Sequence, residues 1–174
     1  MCSLIIPVRK VLGNHTPISE IRIDYSKNWN IVHWRSIESA YNKTPYFIYY
    51  KDQLRKFYEE QTDLLSDFNL SLIKLCCQLL KIRDLNFNLT ETYQHLPSNQ
   101  DLRVILNNPA KWEDTIQFKF PRYIQAFEER FGFIPDLSIL DLLFNEGPQA
   151  MGMLNKVEIL LPNEPAASWQ GIQF

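Results

Sequence analysis

Glycine is scarce in this chain: 174 residues contain five, and none are grouped. A phosphate-cradling loop needs clustered glycines so that backbone N–H groups can approach the ligand, so that mode of nucleotide binding is not expected. Cysteine is scarcer still, with Cys2 near the start and Cys76 and Cys77 side by side. Adjacent helical residues project roughly 100° apart, which suits neither a disulfide nor a zinc knuckle, and the pair reads as core packing. His15, His33 and His95 lie in separate contexts, and there is no His-x-x-x-His pair or Gly-x-Ser-x-Gly elbow. No metal site is therefore expected from local spacing. Runs of Lys and Arg are missing and the net charge is −2, which leaves no electrostatic footprint for nucleic acid. No apolar run approaches the roughly 18 residues of a membrane span, and the start lacks a signal-peptide pattern. These absences point to a cytoplasmic protein with no nucleic-acid partner and no membrane span.

What is present is enough for a core. Hydrophobic residues make up 45% of the chain and aromatics 13%, ordinary for a globular protein and too rich for disorder. Residues 4–8 form a β-rich run, and Ile18, Ile21 and Ile23 alternate in part with Glu20, Arg22 and Asp24, which predicts two neighbouring strands. The period then changes. Trp34, Ile37 and Tyr41 share one helical face, with His33 and Ser36 on an adjacent stripe able to converge. Thr44-Pro45 reads as a cap with Pro at the first position of a second helix, whose stripe is Phe47, Tyr50, Leu54 and Phe57. Residues 64–82 are apolar on most sides and predict a central, buried helix.

Beyond that helix the signals weaken. Residues 87–90 suggest a strand, 93–99 a loop and 101–106 a helical turn, while Ile116, Phe118 and Phe120 alternate as a strand. A short helix to about residue 155 and a strand over 157–161 close the pattern. The expected fold class is mixed α/β: a single domain, mainly helical with a small sheet, spanning 1–161, with 162–174 an extended tail.

The run from Gly132 to Pro148 packs a turn, an apolar helix and a sharp stop together. Ser138 and Asp141 have nearly the spacing of a capping box, in which the hydroxyl accepts from an early N–H and the carboxylate reaches back. Gly147-Pro148 ends the helix. With His33-Trp34-Arg35-Ser36-Ile37, Ala40-Tyr41, Pro45-Tyr46-Phe47 and Tyr123-x-Gln125-x-Phe127, this run resembles the WbqC-like family from about Ile5 to Ala150. Members usually open with a strand carrying a His-Gln-Pro-like element, followed by an aromatic turn. Here Met1 to Val8 looks like a later family strand, so an amino-terminal portion is expected to be missing. The resemblance implies surface-polysaccharide (O-antigen) biosynthesis and transfer of glycine or another amino-acid or acyl group to a sugar. A sugar precursor or nucleotide-sugar is then the implied small-molecule partner, and the sequence leaves the cofactor unknown.

Candidate residues follow. His33 is the first candidate for a catalytic base, because imidazole titrates near neutral pH; the alternative is a histidine bonded to Ser36 or a backbone carbonyl. Asp136 precedes the apolar helix and is free to orient or deprotonate a hydroxyl or amine. Ser138 and Asp141 read as the cap. Tyr123 and Gln125 would flank a substrate if their segment is extended, since on a helix they lie about 200° apart. Asn145, with Glu146 and Gly147, would wall a polar pocket. The competing reading is a noncatalytic protein or an inactive truncated fragment whose strand edges and aromatic surface bind a protein partner or a second copy of the chain.

Overall fold

The computed structural model describes residues 3–9, 12–83, 85–88 and 117–160. Three helices succeed one another in the first half: α1 (Trp29–Tyr41), α2 (Phe47–Glu59) and α3 (Leu65–Leu79). Asp24 starts the approach to α1, its carboxylate accepting from the Ser26 N–H at 3.0 Å. Asn28 then makes the entry with φ of 48°, a left-handed conformation that Asn tolerates better than most residues. Trp29, His33 and Ile37 are buried along α1, each four residues from the last and so on one face. That stripe shares Ile37 with the predicted Trp34, Ile37 and Tyr41, but His33 is buried where Trp34 was expected; Trp34 and Tyr41 are half-buried. Ser36 does not converge with His33, because its hydroxyl donates back to the Val32 carbonyl at 2.8 Å.

Thr44 closes α1 and does not open α2, contrary to the sequence expectation. Its hydroxyl donates to the Tyr41 carbonyl at 2.7 Å, and α2 begins only at Phe47. The Tyr46 N–H is taken by the carbonyl of Phe144 at 3.0 Å. A tertiary partner thus replaces the local cap. Phe47, Leu54 and Tyr58 are buried along α2, and the Trp34 and Phe47 rings stack across the α1–α2 packing with centroids 6.1 Å apart.

The described residues hold two short antiparallel pairs, β1 (Val8–Arg9) with β2 (Arg22–Ile23) and β3 (Gln117–Lys119) with β4 (Glu158–Leu160), and an isolated antiparallel bridge from Arg22 to Leu64. Val8 pairs with Ile23, and Phe118 with Ile159. The first pair is shorter than predicted. Pro17 leads into a 3-10 turn over Ile18–Glu20, so Ile18 lies 59% exposed and outside the strand. The Ile23 side chain is buried, and Arg22 forms an ion pair with Asp63. Residues 87 and 88 are not strand; residues 89–116 and 162–174, on which a strand end, a loop, a helical turn and the tail were predicted, lie outside the described residues.

The second half carries α4 (Glu128–Phe131), α5 (Ile139–Glu146), a 3-10 turn over Gly147–Gln149 and α6 (Ala150–Leu154). The core sits where α5 meets α2. Leu54, Leu143, Phe144 and Ala150 are wholly inaccessible, and the Phe47 and Phe144 rings meet edge to face at 5.1 Å. The buried central helix is therefore α5, not the predicted 64–82. On α3 only Phe68 and Leu79 are buried, and Ile73 is 49% exposed. Leu72, Leu75 and Cys77 are half-buried, so the helix is covered on one side only in part. The architecture is mainly helical mixed α/β with small antiparallel sheet.

Candidate functional site

An acid interrupts the apolar run Ile139-Leu140-Asp141-Leu142-Leu143-Phe144. The helix starts at Ser138, whose hydroxyl accepts from the Leu140 N–H at 3.3 Å, so the predicted cap is present on that side. Asp141 does not complete the box. Its backbone N–H donates to the Ser138 carbonyl at 2.8 Å, while its side chain turns inward and is 1% exposed. The Tyr123 hydroxyl donates to its Oδ2 at 2.8 Å, and the Tyr41 hydroxyl also hydrogen-bonds to it. An unpaired buried carboxylate is expensive; here two phenols from distant segments and the nearby Asn145 amide replace water.

The electrostatics follow from that burial. Desolvation pushes the Asp141 carboxyl up, against the pull of Tyr123, Tyr41 and Asn145. Burial, reinforced by the facing carboxylate, pushes Tyr41 up to about 12. Tyr123 is raised by the same two causes. Both phenols therefore keep their protons at neutral pH and remain donors. The sequence places Tyr41 on an apolar helix face and Asp141 in a capping box; the signal that points to the pair is an acid flanked on both sides by apolar residues.

Residues 121–125 are not helical, which is the condition set for Tyr123 and Gln125 to act together. They turn to different tasks. The Gln125 side chain is buried and clips the backbone of Ile134, donating to its carbonyl at 2.7 Å and accepting from its N–H at 2.8 Å. Asn145 donates to the Asp141 carbonyl at 2.8 Å. The helix then stops at Gly147, with φ of 55°, and a Cβ there would run into the Tyr46 ring. Conformation and space both require glycine at this turn.

Two clefts flank the 120–129 segment. One, of about 270 Å³, is lined mostly by apolar groups including Phe120, Leu142 and Met153, together with Tyr123 and Asp136. The other, of about 660 Å³, is more polar, with Asn42, Lys43, Gln125, Glu129 and Asn145 among its lining residues. The sequence candidates thus divide: Tyr123 and Asp136 line the first cleft, Gln125 and Asn145 the second. His33 lines neither. It is 6% exposed, its Nε2 lies 3.2 Å from the Ile5 carbonyl oxygen, and the Trp29 and Tyr58 rings pack edge-on to it. Burial lowers its pKa, and the Ile5 carbonyl only partly offsets that. No group of three or more potential metal ligands occurs among the described residues, and no helix among them is long and apolar enough to cross a membrane.

The sequence profile of the WbqC-like protein family matches residues 2–115. The chain belongs to this family. A protein of Mycobacterium tuberculosis (strain ATCC 25618 / H37Rv), described as the uncharacterized protein Rv1507c, is 29% identical over 167 residues, 83% of this chain and 72% of the relative. No solved structure matches. The profile takes in the motifs at 33–47 and stops before Tyr123 and the Gly132–Pro148 run. Within this WbqC-like chain the fold nonetheless joins them. Ala40 and Pro45 from the matched part, with Gln125, Phe127 and Asn145 from beyond it, line the same polar cleft.

Proposed function

We propose that this WbqC-like protein acts in surface-polysaccharide biosynthesis, holding a sugar precursor in the polar cleft for transfer of glycine or another amino-acid or acyl group. The observation that supports the reading is the meeting of Ala40, Pro45, Gln125, Phe127 and Asn145, drawn from separate motifs, around one cleft. Sugars are recognised by dense, directional hydrogen bonds, and Asn42, Lys43 and Glu129 supply donors and acceptors there. In the transfer, an amine or hydroxyl of the sugar attacks the acyl carbon of an activated donor such as a thioester or acyl phosphate. The new C–N or C–O bond forms, the bond to the thiolate or phosphate breaks, and the acceptor's proton passes to a base. His33 and Asp136, the bases the sequence puts forward for that step, do not line this cleft: Asp136 is exposed and lines the smaller one, and His33 is buried. Deletion of the gene in the organism that encodes it tests the reading. The polysaccharide repeat unit should lose one acyl or aminoacyl substituent by mass spectrometry; an unchanged repeat unit would overturn it.

A second reading, a noncatalytic protein that binds a partner chain or its own copy, draws support from exposed apolar groups along the same segment. Ile124 is 79% exposed, Phe127 48% and Phe131 59%. Exposed apolar residues close together in sequence are what an interaction surface would use. Light scattering on the purified chain separates the two: a monomer with the deletion phenotype above favours the first reading, and a stable oligomer without it the second.

A further inference from the structure

The smaller cleft carries an independent message, because its polar groups are so unequally committed. Its walls are the rings of Phe120 and Tyr123 and the side chains of Leu137, Ile139, Leu142 and Met153, among others. Tyr123 is polar in name only here. Its hydroxyl hydrogen goes to Asp141 at 2.8 Å, and the Gln125 amide engages its oxygen, so its polar end is spent inside the fold. Asp136 is the one charged residue lining the cleft. Among the described residues it makes no hydrogen bond or ion pair, while Lys119 pairs with Glu158 at 3.0 Å and Arg122 with Glu128 at 2.6 Å. Asp136 also stands at φ of 57°, a left-handed conformation that is uncommon outside glycine and concentrates where a side chain must be aimed.

An apolar hollow with aromatic walls and one uncompensated carboxylate selects for charge and shape together. A cation gains from Asp136 directly. A carboxylate or phosphate would be repelled at the same point. The volume, about 270 Å³, lies just under the range of about 300–1,000 Å³ usual for drug-sized ligands, so the occupant is small. We propose that the cleft between residues 120–123, α5 and α6 binds a compact alkylammonium group, with the alkyl body against Phe120, Leu142 and Met153 and the ammonium on Asp136. The proposal rests on the cleft alone and not on the polysaccharide reading.

Isoamylamine, isoamyl alcohol and isovalerate share one branched alkyl body and differ in the charge of the head. Titrating each into the full chain, followed by chemical-shift changes of the Met153 and Leu142 methyl groups, tests the assignment. The amine should bind most tightly, the alcohol more weakly and the carboxylate not measurably. Asp136→Asn keeps a side chain that tolerates the left-handed backbone, and it should weaken amine binding about three- to tenfold while leaving alcohol binding unchanged. Equal binding of amine and carboxylate would overturn the proposal, as would an Asp136→Asn variant with undiminished amine affinity. Failure of all three compounds to shift either methyl group, in a protein whose melting curve shows it folded, would overturn it as well.

Discussion

His33 and Asp141 are both ionisable, both nearly inaccessible and both on helices that line the same core, yet the protein accommodates them in opposite ways. His33 is housed as a ring. Trp29 and Tyr58 pack around it, and one backbone carbonyl, that of Ile5, sits at hydrogen-bond distance. Asp141 is housed as an acceptor, with the Tyr123 and Tyr41 hydroxyls on its carboxylate and the Asn145 amide donating to its backbone carbonyl. The lesson is that burial alone does not define a functional acid or base. What matters is whether the surroundings satisfy the charge or merely the volume.

Apolar replacement should separate the two cases. Asp141→Leu keeps roughly the volume of the side chain but strands the Tyr41 and Tyr123 hydroxyls in the core, and each unsatisfied buried group costs about 1–3 kcal/mol. We expect a loss of about 2–5 kcal/mol, read as a lower urea midpoint at constant slope. The single changes Tyr41→Phe and Tyr123→Phe should each cost about 1–2 kcal/mol. Because they share one carboxylate, their effects should not add in the double variant. If Asp141→Leu is neutral, the phenols have other partners and the contrast with His33 fails.

His33→Phe is the matching test on the other side. A ring of similar size stays between Trp29 and Tyr58, so the change should cost less than about 1.5 kcal/mol. His33→Ala, which empties the site, should cost distinctly more. A His33→Phe variant as damaged as Asp141→Leu would mean that the bond to Ile5, rather than the ring packing, holds this part of the fold. Should activity be found, loss of it in His33→Phe with the melting temperature preserved would return His33 to the role of base.

The same contrast explains what could be read from the sequence. Local chemistry was legible: the Ser138 cap, the Gly147 stop, the short helix that follows, and strands around Phe118 and Ile159 all stand in the structure, though that the two strands pair was not legible. Decisions made by distant groups were not. Thr44 looks like the cap of the next helix, but the Phe144 carbonyl claims the Tyr46 N–H, and Thr44 turns back to Tyr41. Asp141 has the spacing of a box partner, but helix spacing cannot announce that two tyrosines from elsewhere will meet it. The stripe on α3 was read as fully covered because periodicity counts apolar faces and not the neighbours that bury them. The division of the candidate residues between two clefts belongs to the same class: it is set by the path of residues 120–129, which no local period encodes.

The smallest expected effect is also the most discriminating, because the two groups should respond to pH with opposite sign. Burial lowers the His33 pKa below its ordinary value of 6.5. The unfolded chain then binds the proton more readily, so His33's contribution is intact above that value and is lost as pH falls through its folded pKa. The stability advantage of the wild type over His33→Phe should shrink on going from about pH 7.5 to about pH 5.5. Asp141 is raised above its ordinary 3.8, so the folded chain holds the proton more firmly than the unfolded one. Its contribution is full below that value and is lost as pH rises through the folded pKa. The wild-type advantage over Asp141→Asn should therefore be greatest in acid and decline toward neutrality, measured as the difference in urea midpoints at each pH. An advantage that grew with pH would mean that the hydrogen bonds from Tyr41, Tyr123 and Asn145 outweigh desolvation. The carboxylate would then be a well-solvated anion in all but name, held ready at neutral pH by the fold itself.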